Sequence, residues 1–469
     1  MKCREFILLF STFLGVSAFL ICLSYPGTMT NDSVGWLYAA RTGNYGGTQP
    51  VGAALMWSLI DPIWPGPMGF VAVNIFMLTT GLLFLFYLIQ HSALQASLAT
   101  ILIIGYPTVL TLLPVAWRDI TGLAITVVML GIAVLAARFA TRSKVYGVRF
   151  KAVFIILIVL SFIGTVFRAN HAAGILPILA LPIGVYISHR WQLGKLTVTI
   201  LALILSTLIL ITTSLSGFHV SKSMAVSKSY SFQAPTNYRL ALLSDRVNRN
   251  LFPAELYPKL SLEHIRFLLN SVKKPYSFVF WRAFSRNDRE ELPRLVTEAD
   301  TNHLRQSYYN AIFNYPREFL SIRASEILQW FDFRKSYASS SWVRHKVPPR
   351  ASSLIKMNFE YERPEWSQRL LKKWAALNKI FINRNPLMLI GLGLALTSLA
   401  FILKLPNRVL MLVTSTSSLT HFLSVAMVVA NFQFRYGHQA YFFALVTVVL
   451  FMMALFNLFT GRSQLESSI

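Results

Sequence analysis

Acidic residues are scarce in this sequence, because 19 Asp and Glu stand against 44 Lys and Arg and the net charge is +25. Charged residues of both signs make up only 13% of the chain, whereas hydrophobic residues make up 54%. A water-soluble chain of this length does not carry so much apolar sequence. Several apolar runs reach the length of about 20 residues that crosses a bilayer as a helix. The predicted fold class is an all-α polytopic membrane protein.

Cysteine is nearly absent, and the two that occur, Cys3 and Cys22, lie at opposite ends of the first apolar run. A helix separates them by far more than a disulfide spans, which predicts two free thiols. No cleavage pattern of small residues precedes Pro26, so we interpret this run as a retained membrane anchor and not as a signal peptide.

Several catalytic signatures are also missing. The chain has no GxxxxGKS/T phosphate loop, no HExxH or CxxC motif, no Gly-x-Ser-x-Gly elbow and no Asp-x-Asp pair. These absences argue against ATP as an energy source, a zinc site and a serine hydrolase. We expect no cofactor and no tightly held metal. Dependence of the activity on a divalent metal stays open. Membrane lipids are expected partners, and nucleic acid is not.

Window hydropathy predicts about ten membrane spans, and the positive-inside rule orients them. The spans are expected at 6–25, 68–90, 96–116, 120–138, 152–167, 171–188, 196–215, 386–403, 408–430 and 438–459. The clearly basic short loops all fall on the side of the N-terminus, which predicts that both termini are cytoplasmic. These loops contain Arg138, Arg142, Lys144, Arg149, Lys195, Lys404 and Arg462.

The outer side of the membrane collects the remaining polar turns, which contain Asp32, Trp117-Arg118-Asp119, Arg168 to His171, and Phe434 to His438. Ionisable side chains at membrane depth are costly and usually serve a function. Four such turns that face one compartment predict a shared site.

Asp32 follows the first span and has two interpretations. It is either the N-cap of a helix that continues through Val34, or a catalytic carboxylate. The apolar stretch from Val51 to Trp64 is too short to cross the membrane. It predicts a helix along the outer surface, with Trp57 and Trp64 at the membrane interface, and a re-entrant hairpin is the alternative. Both arrangements leave Asp32 over the helix bundle.

The other turns supply cations and a second acid. Arg118 and Asp119 either form an ion pair that closes a tight turn, or Asp119 shares the acid role or holds an arginine for a phosphate. Guanidinium groups match the geometry of phosphate oxygens, and the alternative is that the arginines reach lipid headgroups non-specifically. The residues expected to bind a phosphate are Arg118, Arg168, Asn170, His171, Arg435, Tyr436 and His438.

Composition predicts three domains, at 1–216, 217–384 and 385–469, of which the first and last are membrane modules. The middle domain holds much of the basic excess, which favours an anionic partner such as phosphate or lipid headgroups. Helical periodicity at 261–269 and from Tyr308 to Trp330 predicts a mainly helical domain with Pro316 in a first helical turn, and strands are an option at 276–280.

These motifs resemble a known family. Pro26-Gly27 and Asp32-Ser33 after the first span, followed by a surface helix, resemble the first outer loop of membrane-embedded glycosyltransferases of the GT-C fold. Trp117-Arg118-Asp119, Arg168-x-Asn170 and Arg435-Tyr436 are similar to turns of bacterial members, among them enzymes that add a sugar branch to O-antigen or related envelope glycans.

The resemblance implies a GT-C-like bundle in the bacterial inner membrane with a helical periplasmic domain that selects the acceptor. It implies transfer of a hexose from undecaprenyl phosphate to an O-antigen, lipopolysaccharide or other lipid-linked glycan acceptor, with Asp32 as the base and Asp119 as a second essential acid. Two other function classes stay open, which are a transporter or flippase of lipid-linked sugars and an O-antigen polymerase or ligase.

Overall fold

The computed structural model shows an α-helical protein. It describes residues 3–46, 50–141, 147–168, 171–225, 233–271, 295, 297–330, 363–377, 386–428 and 434–460. Within these ranges the extended backbone forms no named strand, and a parallel bridge joins Thr28 to Val115. Cys3 and Cys22 are exposed free thiols, as predicted.

Eight of the described helices are long and apolar enough to cross a membrane. They are α1 (Cys3–Ser24), α4 (Pro67–Gln90), α7 (Arg118–Thr141), α8 (Gly147–Phe167), α9 (Ala172–Trp191), α10 (Lys195–Ser223), α17 (Arg408–Val428) and α18 (Phe434–Phe459). Two shorter apolar helices, α5 (Ala93–Ile104) and α16 (Pro386–Ile402), lie where the remaining spans were expected. The predicted class, an all-α polytopic membrane protein, is confirmed.

Polar contacts define two ends of this bundle. At the far end, Tyr87 Oη donates to Glu5 Oε2 at 3.0 Å and Asn457 Nδ2 donates to Gln90 Oε1 at 2.7 Å. These bonds join the start of α1 to the end of α4, and the end of α4 to the end of α18. At the opposite end, called the site end below, residue 28 after α1 pairs with residue 115 before α7. The helices therefore alternate in direction, as spans do.

Buried polar side chains also join the helices inside the bundle. Thr121 Oγ1 on α7 donates to Asn74 Oδ1 on α4 at 2.8 Å, and both residues are fully buried. The hydroxyl groups of Thr414 on α17 and Thr447 on α18 lie 2.8 Å apart. Such bonds hold membrane helices together where lipid removes the hydrophobic driving force between them.

The third predicted span differs from expectation, because it is not one helix over 96–116. Helix α5 ends at Ile104, and a separate helix α6 runs over Pro107–Leu112. Proline disfavours helical geometry at the residue before it, and Tyr106 accordingly has extended angles of φ −64° and ψ 132°. The chain then reaches the site end as the segment that pairs with Thr28.

The segment between α1 and α4 contains α2 (Asn31–Thr42) and α3 (Gly52–Ile60). Helix α3 lies in the stretch where a short helix was expected, and its position along the outer surface stays a prediction. The expectation for Trp57 was wrong. Its side chain is fully buried, stacks on Phe70 with ring centroids 4.5 Å apart, and donates from Nε1 to the Gly66 carbonyl at 3.1 Å. The indole is therefore part of the bundle core and does not mark the membrane interface.

The described part of the middle of the chain is mainly helical, as predicted. Its described helices are α11 (Gln233–Arg246), α12 (Leu262–Ser271), α13 (Glu298–Asn314), α14 (Pro316–Trp330) and α15 (Glu365–Leu377). Helices α11 to α14 share a hydrophobic cluster of their own. Pro316 begins α14, as expected of proline at a first helical position. The optional strand at 276–280 lies outside the described residues.

Helix α15 packs on the membrane bundle through α6 and α1. Leu371 and Ala375 belong to the bundle core. Helix α10 also continues to Ser223, beyond the membrane-module limit predicted at 216. The three domain limits remain predictions.

Candidate active site

The loop before Asp32 lies directly beside the segment before Asp119. Thr28 N donates to the Pro114 carbonyl at 2.7 Å, and Ala116 N donates to the Thr28 carbonyl at 2.9 Å. Two segments that are far apart in sequence therefore share backbone hydrogen bonds at the site end. This pairing brings the starts of α2 and α7 into one neighbourhood.

Side chains reinforce the same contact. Ser33 Oγ donates to the Ala116 carbonyl at 2.7 Å, and Trp117 Nε1 donates to Thr30 Oγ1 at 3.0 Å. Ser33 is fully buried. The first bond is buried and the second partly buried, so the groups that join α2 to the segment before α7 would be costly to leave unpaired.

Asp32 is not the N-cap that one interpretation expected. Thr30 caps α2, because its extended backbone lets Oγ1 accept from Ser33 N at 3.3 Å, and the Ser33 hydroxyl accepts from Thr30 N at 3.2 Å in return. Asp32 instead lies in the first turn of α2 and is partly exposed. A carboxylate in a first turn is stabilised by the positive end of the helix dipole.

Asp119 forms an ion pair with Arg168, and not with its sequence neighbour Arg118. The Asp119 side chain is 2% exposed and the Arg168 side chain 8% exposed. The interpretation of a tight-turn pair with Arg118 is therefore wrong, and Asp119 holds an arginine of the turn that follows α8. The Arg118 guanidinium lies over the Trp36 ring of α2, with Cζ 5.1 Å from the centroid. This geometry suits a cation–π contact.

Histidines pack behind the ion pair. His438 Nε2 lies 3.0 Å from the Asp119 carbonyl oxygen. Because that oxygen only accepts, Nε2 is the protonated nitrogen in this contact. His171 is buried, and its ring centroid lies 6.4 Å from that of His438 and 5.7 Å from that of His421. Three imidazoles thus meet behind Asp119.

Gly122, one helical turn after Asp119, makes room for this cluster. A side-chain carbon at this position would overlap Cε1 and Nδ1 of the His171 ring. Gly174 has a similar role on α9, where an added Cβ would lie 3.0 Å from Gln439 Nε2 and 3.3 Å from His421 Cβ. The close approach of α7, α9, α17 and α18 therefore depends on these two glycines.

Arg363 is a site-end residue that sequence reasoning missed. It is 5% exposed, and its Nη2 donates to Thr28 Oγ1 at 2.7 Å while Nη1 donates to the Leu23 carbonyl at 3.3 Å. Ser367 Oγ donates to the same carbonyl. Arginine thus ties the C-terminal part of the middle segment to the loop that carries Asp32.

The structure brings together most of the predicted site and leaves some of it undescribed. Arg118, Asp119, Arg168, His171 and His438 all lie at the site end. Asn170 and the side chains of Arg435 and Tyr436 lie outside the described residues. The backbone of Arg435 and Tyr436 belongs to the first turn of α18. In the described residues, no group of three His, Cys, Asp or Glu has an arrangement that could hold a metal ion.

A scan against protein-family models, a search of curated proteins and a search of solved structures found no match to this chain.

Proposed function

We propose that the protein is an inverting membrane glycosyltransferase of the bacterial inner membrane. It transfers a hexose, such as glucose, from undecaprenyl phosphate to an O-antigen, lipopolysaccharide or other lipid-linked glycan on the periplasmic face. The observation that carries the proposal is the pairing of residue 28 with residue 115. It holds the loop that leads to Asp32 beside the segment that leads to Asp119, and Asp119 pairs with Arg168.

Asp32 is the base in this proposal. Its carboxylate takes the proton of the acceptor hydroxyl while the hydroxyl oxygen bonds to the anomeric carbon of the donor. The bond from that carbon to the phosphate oxygen breaks, and its electron pair leaves with undecaprenyl phosphate. Attack opposite to the leaving group inverts the configuration. The partial exposure of Asp32 suits this role, because an acceptor must reach it.

Arginines stabilise the leaving phosphate. Arg168 and Arg118 lie at the site end, and Arg435 belongs to the first turn of α18 beside His438. Charge grows on the phosphate as the sugar leaves, and fixed cations in a water-poor setting stabilise such charge strongly. Asp119 acts as the second essential acid by holding Arg168 in place.

The helix ends also suit a lipid carrier. A polyprenyl tail lies in the bilayer, so its phosphate sits at the membrane edge, where the proposed site is built. The middle segment is joined to the same loop through Arg363, and it selects the acceptor in this proposal.

The test is a transfer assay in proteoliposomes with a hexose on undecaprenyl phosphate. Asp32→Asn removes the base and keeps the size of the side chain, so we expect the rate to fall by ~10²–10⁴-fold. Glu365→Gln is the matched control, since Glu365 is an exposed acid of the same end that lies outside the cluster. An Asp32→Asn protein with full turnover would refute the assignment.

The phosphate role has a separate test. Arg168→Ala and Arg435→Ala should each raise the donor concentration needed for half-maximal rate, because each removes a cation from the proposed phosphate site. Unchanged donor dependence in both variants would rule this role out.

One observation favours a transporter of lipid-linked sugars as a second candidate. The third span is broken between α5 and α6 at Gly105 and Tyr106, and broken helices are common in transporters. Movement of a labelled lipid-linked sugar across proteoliposomes without transfer to an acceptor would support this alternative. A single added hexose for each acceptor unit would support the transferase and would also exclude a polymerase, whose products are long.

A further inference from the structure

Helix α15 has one face that the bundle covers. Ser367, Leu371 and Ala375, spaced by four residues, are all buried. Helix α15 packs on α6 and on α1, and Ser367 Oγ donates to the carbonyl of Leu23 near the end of α1. The helix is therefore fixed to the membrane bundle along its length.

The opposite face of α15 is exposed and has a mixed character. Trp366 and Leu377 are 48% and 41% exposed, and between them lie Arg369, Lys372 and Lys373, which are also exposed. Trp366, Arg369, Lys373 and Leu377 follow each other at three- or four-residue steps, so they form one stripe. Large apolar side chains together with cations are typical of a helix that lies in the membrane interface.

The position of α15 in the bundle agrees with a location in the membrane interface. Helix α1 has 22 residues, and at a rise of about 1.5 Å per residue it just exceeds the roughly 30 Å of the hydrocarbon core. Leu23 therefore lies at the edge of that core, and Ser367 binds its carbonyl. Only 17% of the apolar stretch of α1 is buried inside the protein, so lipid surrounds the helix on which α15 rests.

The positive charge of the exposed face of α15 indicates which kind of molecule binds there. Glu365 pairs with Arg369 at 2.9 Å and is the only acid on α15, so Lys372 and Lys373 have no carboxylate partner on their own helix. Cations at the surface of a bilayer attract anionic headgroups. We propose that α15 binds the headgroups of anionic phospholipid at the site end of the bundle. This surface does not depend on the sugar transfer.

The test uses the full-length protein in vesicles of phosphatidylcholine mixed with phosphatidylglycerol. Cys3→Ser and Cys22→Ser remove the exposed native thiols. Ala376→Cys then carries a fluorophore on the exposed side of α15. Either the phosphatidylglycerol or the phosphatidylcholine has brominated chains, which quench the fluorophore at short range, so the ratio of the two quenching values reports the local lipid composition.

We expect phosphatidylglycerol to be enriched beside the label. Changing Arg369, Lys372 and Lys373 to Gln should reduce the enrichment by up to ~5-fold for each charge removed. High salt should reduce it in the wild type, because exposed charges are screened. A matched triple variant, with Lys259, Arg305 and Arg317 changed to Gln on exposed sites outside α15, should leave it unchanged.

Three outcomes would overturn the proposal. Equal quenching by the two lipids in the wild type would mean that α15 does not select anionic headgroups. An equal loss in the matched triple variant would mean that net charge alone attracts the lipid. A label that neither lipid quenches would mean that water or another protein covers this face.

Discussion

The ion pair between Asp119 and Arg168 is a buried contact whose loss should strongly destabilise the protein. Their side chains are 2% and 8% exposed, so neither charge is solvated by bulk water. Asp119→Leu would leave the Arg168 guanidinium buried without its carboxylate. Breaking a buried pair in this way costs ~3–5 kcal/mol, whereas replacing both partners by apolar residues is often close to neutral. The double variant Asp119→Leu, Arg168→Met should therefore recover most of the lost stability.

The free energy of unfolding can be measured for the wild type, both single variants and the double variant by equilibrium unfolding in mixed detergent micelles. Arg41→Gln serves as the control, because it breaks the pair with Asp61, whose side chains are 28% and 13% exposed. An ion pair that water reaches is worth only ~0.2–1 kcal/mol.

Two results would refute this reasoning. Asp119→Leu with wild-type stability would mean that Arg168 finds another anion or reaches water. A double variant as unstable as the sum of the single variants would mean that the two residues act independently.

Further predictions concern the packing around this pair. Gly122→Ala should lower the unfolding free energy by ~1–3 kcal/mol, because the new methyl group displaces the His171 ring. Gly15 on α1 has open space around it, so Gly15→Ala should instead raise that free energy by ~0.5–1 kcal/mol. The two glycine substitutions should therefore change the unfolding free energy in opposite directions in the same assay. Ser33→Ala should cost ~1–3 kcal/mol, because the buried Ala116 carbonyl loses a donor; unchanged stability would show that water replaces the hydroxyl.

The order and approximate positions of the apolar helices could be predicted from sequence, because hydropathy depends on local composition. The number of spans was not fixed in the same way, since ten were expected and eight of the described helices are long enough to cross a membrane. Even the short turn at Arg168 was expected to divide two spans, and α8 and α9 flank it. The break before Pro107 was missed, since a hydropathy window averages over a proline. Trp57 was misplaced for another reason. Tryptophan is common both at the membrane interface and in a bundle core, so the residue type alone does not distinguish the two positions.

The site was harder to predict, because its contacts join distant parts of the chain. No local pattern links Arg363 to Thr28, and no pattern distinguishes Arg118 from Arg168 as the partner of Asp119. His421 did leave a signal that could have been used. It is the only ionisable residue between 409 and 428, and an isolated imidazole in an apolar span indicates a function or a buried partner.

The backbone pairing of residue 28 with residue 115 also has a mechanical consequence. Asp32 belongs to the loop after α1, which is a peripheral helix exposed to lipid, whereas Asp119 begins α7, which is the most buried of the long helices described. Changes in bilayer thickness tilt peripheral helices. Because Thr28 is bonded to Pro114 and Ala116, the loop is held to the segment that leads into α7. We expect these bonds to limit how far tilting of α1 moves the loop that carries Asp32 away from the start of α7.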